Sequence, residues 1–128
     1  MGISGVVERA KKQVLQAADS APLACAFDQK QFENATLDDA ALQCEILDLF
    51  DDQLQVVLAK LAVGTLSPDD CKFLGHSLRG SAAAIGALEI EALAAAFEKW
   101  SGDQSELLTS FRDATLRFKQ ATTHYRPE

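Results

Sequence analysis

His76 is the residue of this chain best placed to do chemistry. It stands in the run Cys71-Lys-Phe-Leu-Gly-His-Ser-Leu-Arg-Gly-Ser-Ala-Ala-Ala-Ile-Gly-Ala87. An α-helix turns about 100° per residue. On that wheel Cys71, Leu74, Leu78, Ala82 and Ile85 form an apolar stripe roughly 100° wide. His76 falls close to the opposite side, with Lys72 and Arg79 on one flank and Phe73 on the other. Gly80 lies one turn further along, where a helical glycine costs about 1 kcal/mol relative to alanine. An outward imidazole, two cations and a missing side chain suggest a surface suited to receiving a phosphoryl group. Histidine titrates near neutrality, so a neutral ring nitrogen is available as a nucleophile.

Five helical stretches must position these residues. The first runs from about Ser4 to Ala18, with Val6, Val7, Ala10, Val14 and Ala17 on one face. Residues 19–36 are broken by Pro22, and Phe27 and Phe32 anchor them to the core through a short helical turn. A stronger helix follows Thr36, which reads as the N-cap with Asp39 as its acidic capping partner. Ile46, Leu47, Phe50, Leu54, Val57, Leu58 and Leu61 then share an arc of about 120°, and Gly64 ends the helix. The next start is marked by Ser67 as N-cap, Pro68 at the first helical position, and Asp69 and Asp70 against the dipole. This helix carries His76 and ends near Gly86. A fourth, from about Ala87 to Trp100, buries Ile90, Leu93, Ala94 and Phe97, and Gly102 closes it. The last spans about Asp103 to Tyr125 with Leu107, Leu108, Phe111, Thr115 and Phe118 inward. Short connections between the later helices imply antiparallel neighbours, hence an all-α, up-down four-helix bundle with an additional N-terminal helix. The expected organisation is one domain over residues 1–128, with a helical extension at 1–36 and the bundle at 37–125.

Composition narrows the function classes. With 48% hydrophobic residues in 128, the chain can bury a core, and only 3 Pro and 7 Gly favour helices. A net charge of −7 repels phosphate backbones, so nucleic acid is not an expected partner. No apolar run approaches the ~20 residues of a membrane span, and Met1-Gly-Ile-Ser-Gly lacks both a secretory pattern and the Ser/Thr of a myristoylation signal. Cys25, Cys44 and Cys71 are odd in number and match neither a disulfide framework nor a zinc set. A reducing cytosol follows as the simplest location.

The string His76-Ser-Leu-Arg-Gly-Ser-Ala-Ala-Ala-Ile-Gly-Ala87 resembles the signature of histidine phosphotransfer (HPt) domains: a His, then a basic residue, a Gly-Ser pair and later a Gly-Ala pair. The resemblance extends through Leu88, Leu93 and Phe97-Glu98, and upstream through Ile46-Leu-Asp-Leu-Phe50, covering roughly residues 37–118. It implies a four-helix bundle whose His carries a phosphoryl group between receiver-domain aspartates in a multistep phosphorelay. The partners implied are receiver domains of response regulators or hybrid histidine kinases, met in the cytoplasm, with nuclear access in a eukaryote. Lys72 and Arg79 would offset the added charge through charge-assisted hydrogen bonds, and Gly80 would let an aspartyl phosphate approach in line. Ser81 and Gly86 would serve packing and helix termination. The family commonly has Lys where this chain has Arg79, whose planar fork differs from a mobile point charge; a changed transfer rate or phosphohistidine lifetime is the expected consequence.

Around this centre, Phe73 reads as an apolar docking contact and Ala83 as part of the same binding surface. Gln53, bordering the apolar arc of the preceding helix, reads as a group that could orient the imidazole. His124 reads as an exposed bystander, Asp48, Asp51 and Asp52 as a solvated face, and Trp100 as a packing residue. No phosphate-cradling loop for a nucleotide is visible, no metal or cofactor is expected on this chain, and the protein reads as a monomeric carrier rather than an enzyme. Two rivals differ in class. The phosphoacceptor part of a histidine kinase would need an ATP-binding domain, an acidic residue beside the His and a later Pro. A helical adaptor would bind receivers without transferring phosphate, which the intact His76, Arg79 and Gly80 argue against.

Overall fold

The computed structural model describes residues 26–126, and these are all-helical. Five α-helices follow in order: α1 (Gln29–Ala35), α2 (Ala40–Val63), α3 (Pro68–Ile85), α4 (Leu88–Glu98) and α5 (Gln104–Ala121), with a short 3-10 turn over Thr123–Tyr125. The expected helix at Ser4–Ala18, and Cys25, lie outside the described residues. Among the described residues, no helix is long and apolar enough to cross a membrane.

Helix α3 starts as its sequence dictates. Ser67 accepts from the Asp70 amide while Asp70 accepts from the Ser67 amide, a reciprocal capping box with Pro68 at its head. It ends at Gly86, whose φ of 80° a β-carbon would disfavour. Helix α2 corrects the sequence expectation: its N-cap is Asp39, which accepts from the Leu42 amide, and Thr36 instead closes α1. The reason is the linking turn, where Leu37 and Asp38 both take positive φ (52° and 55°) and interrupt any helix begun at Thr36. Thr36 is fully buried, donating to the Phe32 carbonyl and accepting from the Gln43 amide. Helix α4 ends at Glu98, so Gly102 lies beyond its last turn, and α5 stops at Ala121 before the 3-10 turn.

The core gathers residues from every helix. Leu47, Leu54, Val57 and Leu61 of α2, Leu78 and Ala82 of α3, Ile90, Leu93 and Phe97 of α4, and Leu107, Phe111 and Phe118 of α5 are buried together. Phe27 and Phe32 anchor the N-terminal side, packing edge-to-face on each other, with Phe27 also on Phe118 and both on Tyr125. At the other end of the chain Tyr125 donates to the Glu33 carboxylate, and Arg126 makes a two-point ion pair with Asp51. Among the described residues the α3–α4 pairing is the most extensive, and α4 also meets α5, which meets α2. That α3–α4 hairpin builds the site.

Candidate functional site

The connection at Gly86–Ala87 folds α4 straight back along α3. His76 and Glu98 each lie eleven residues from Ala87, on opposite arms of the hairpin, and their side chains meet. His76 Nδ1 is 2.9 Å from Glu98 Oε1. The second carboxylate oxygen, Oε2, is 3.3 Å from Arg79 Nη1. The His76 side chain is 75% exposed, whereas that of Glu98 is only 11% exposed. One nearly buried carboxylate therefore supports an imidazole that stands in solvent.

This contact bears on which ring nitrogen of a neutral His76 carries the proton. An ionised carboxylate only accepts hydrogen bonds, so opposite an ionised Glu98 the favoured form has its proton on Nδ1. The lone pair then resides on Nε2, the nitrogen away from Glu98. Lys72, Arg79 and Lys99 join His76 and Glu98 in lining a cleft of about 510 Å³. Three cations and one carboxylate thus share the cleft with the imidazole. Among the described residues, no group of His, Cys, Asp and Glu is arranged to hold a metal ion.

The residues singled out from the sequence separate into those at the cleft and those away from it. Lys72 and Arg79 are at the cleft, although Arg79 is paired with Glu98 rather than free. Gly80 faces open space: beyond its own stretch of helix, no atom lies within 4 Å of where a β-carbon would stand. Phe73 is 73% exposed on the same helix. Gln53 does not orient the imidazole: its amide reaches Ser77 Oγ at 3.4 Å. The i,i+1 offset from His76 to Ser77 swings the side chains about 100° apart, so α2 meets α3 on the flank. Ala83 sits about 10 Å further along the helix, half-buried, where its carbonyl accepts from the Gln31 amide of α1. Ser81 donates back to the Ser77 carbonyl, which keeps it local. His124 is exposed against Tyr125, and Trp100 is buried at the end of α4.

Lys99 was not singled out from the sequence, and Glu98 entered only through the Phe97-Glu98 match, with no role at His76. Lys99 carries no local pattern. Glu98 appears in the chain only as an acidic residue after Phe97, yet its equal spacing with His76 about the Gly86–Ala87 turn was a usable signal. Comparisons with protein-family models, curated proteins and solved structures returned no match to this chain.

Proposed function

We propose that the chain is a histidine phosphotransfer protein, carrying a phosphoryl group between receiver-domain aspartates with His76 as the acceptor. The observation that carries this reading is the 2.9 Å contact of Glu98 with Nδ1 of an exposed imidazole, in a cleft that Lys72, Arg79 and Lys99 also line; with the proton on Nδ1, Nε2 is free to act as the nucleophile. In the forward step the Nε2 lone pair forms a bond to phosphorus as the bond from phosphorus to the receiver's aspartyl oxygen breaks. The aspartate leaves as a carboxylate. The ring retains its Nδ1 proton and becomes positively charged, facing Glu98. In the return step the N–P bond breaks, its electron pair returns to Nε2, and the next receiver's carboxylate takes the phosphorus. No proton need enter or leave in either direction.

Other parts of the molecule fit this reading. Lys72 and Lys99 supply charge toward the phosphoryl oxygens, and Arg79 is shared between them and Glu98. Gly80 keeps the approach to the ring open. Phe73 on α3, with Leu49 and Val56 exposed on the adjacent α2, offers apolar area to a receiver. The cyclic neighbour pattern of α2, α3, α4 and α5 supports an up-down four-helix bundle with α1 as part of an N-terminal extension. The divalent ion expected in such transfer belongs to the receiver, the carrier needs no nucleotide, and a cytoplasmic monomer is the form proposed.

Transfer of labelled phosphate from a panel of charged receivers tests the reading. Wild type should take label and His76→Gln should take none while remaining folded. Receiver binding by a wild type that no receiver in the panel labels would favour the adaptor instead.

A further inference from the structure

Helix α3 contains two interior glycines with opposite surroundings. A β-carbon at Gly80 would stand in open space. One at Gly75 would lie 2.6 Å from the Glu98 backbone nitrogen, 2.9 Å from the Ala94 carbonyl oxygen and 2.9 Å from Glu98 Cγ. Neither Gly75 nor its neighbours need a left-handed conformation, since the positive-φ glycines among the described residues are Gly64, Gly86 and Gly102. A mid-helix glycine carries an entropic cost, and here the structural return is close approach of two helix backbones. Two of the three crowding atoms are main chain, which a rotamer change cannot move.

The place of that approach matters. Gly75 is adjacent in sequence to His76, and the atoms it admits belong to Glu98 or to the residue one turn before it. We infer that Gly75 is a positioning residue: by letting the last turn of α4 lie against α3, it sets the distance between the Glu98 carboxylate and His76 Nδ1 and so selects the ring's tautomer. Alanine at this position would push the end of α4 away and lengthen the contact. The ring would then drift toward the Nε2–H form that a free neutral imidazole prefers, which occupies the nitrogen required for attack. The geometric inference stands on the distances alone; its consequence for transfer rests on the phosphorelay reading.

The test is long-range proton–nitrogen NMR of the His76 ring in uniformly labelled protein, at a pH where the ring is neutral, with His76→Gln used to separate its signals from those of His124. Wild type should show Nδ1–H as the major tautomer, and Gly75→Ala should show it as the minor one. Glu98→Asp keeps glycine at 75 but withdraws the carboxylate by one methylene, and should lose the Nδ1–H form in a protein whose fold is not at issue. Ile85→Val loosens the same helix without touching the contact and should leave the wild-type pattern. An unchanged tautomer in Gly75→Ala or in Glu98→Asp, or an equal loss in Ile85→Val, would overturn the positioning role. Because the readout is made without any receiver, failure of phosphotransfer would leave the tautomer result intact, and the reverse also holds.

Discussion

Replacing Glu98 by Gln keeps the shape of the side chain and removes its charge, which makes it the sharpest probe of the cleft. Two contacts change: the 2.9 Å hydrogen bond to His76 Nδ1 and the 3.3 Å pair with Arg79. The His76 and Arg79 side chains are 75% and 44% exposed, so solvent screens both interactions. An exposed ion pair is worth about 0.2–1 kcal/mol, and Gln retains a carbonyl that can still accept from Nδ1–H. The stability loss should therefore stay below about 1 kcal/mol. The effect on transfer should be larger, because the phosphorylated ring is cationic and faces the carboxylate. A unit charge pair at about 4 Å is worth about 1 kcal/mol in water and about 4 near a protein surface; the exposure of the ring puts this case at about 1–2 kcal/mol. At about 1.4 kcal/mol per tenfold, the rate of phosphorylation should fall roughly 5- to 30-fold. Rapid-quench transfer from a charged receiver, alongside urea denaturation, reads both quantities. Wild-type transfer in Glu98→Gln, with transfer still abolished in His76→Gln, would refute the role given to the carboxylate.

Other substitutions test the frame around the cleft. Gly80→Gln should fold normally, because its side chain enters open space, yet should slow transfer from a receiver by obstructing docking; unaltered transfer would remove the access argument. Leu78→Ala, at a fully buried position of α3, should cost about 2–5 kcal/mol in urea unfolding, and a loss below about 1 kcal/mol would show that this face of α3 is not core. The Tyr125–Glu33 hydrogen bond predicts a pH dependence. Burial first, and then the bond to Glu33, hold the Tyr125 phenol well above its ordinary range, so this contribution is intact below about pH 10 and is lost as pH rises beyond it. The same bond, followed by that from Gln29, lowers the Glu33 carboxyl, so its contribution is present above about pH 4.3 and is lost as pH falls through the lowered value. Tyr125→Phe should flatten the alkaline decline in stability and reduce the acid one; pH profiles parallel to wild type would contradict the assignment.

Local signals read well from the chain, and tertiary ones did not. Ser67, Pro68, Asp70 and Gly86 bracket α3 because each acts on backbone groups within a turn of itself, and the outward direction of His76 follows from helix geometry alone. The start of α2 went astray where two capping residues, Thr36 and Asp39, stand three apart. The choice between them was made by a turn through Leu37 and Asp38 that has no glycine to announce it. Gln53 was read as a group that could orient the imidazole, and its amide instead reaches the neighbouring Ser77, a rotation that only the packing of α2 on α3 decides. The pairing of Glu98 with His76 spans 22 residues, and Gly75 is legible only when the opposing backbone is in view. His76 could be singled out from the sequence; its contact with Glu98 depends on how two helices meet.

The nitrogen that bears the phosphoryl group distinguishes the proposed chemistry from its alternatives. Nitrogen and phosphorus NMR of protein charged by a receiver assigns that atom directly. A phosphoryl group on Nε2 of His76, with the Nδ1 proton retained, is the predicted result. Phosphate on Nδ1 of His76, on His124, or on a carboxylate of this chain would contradict it.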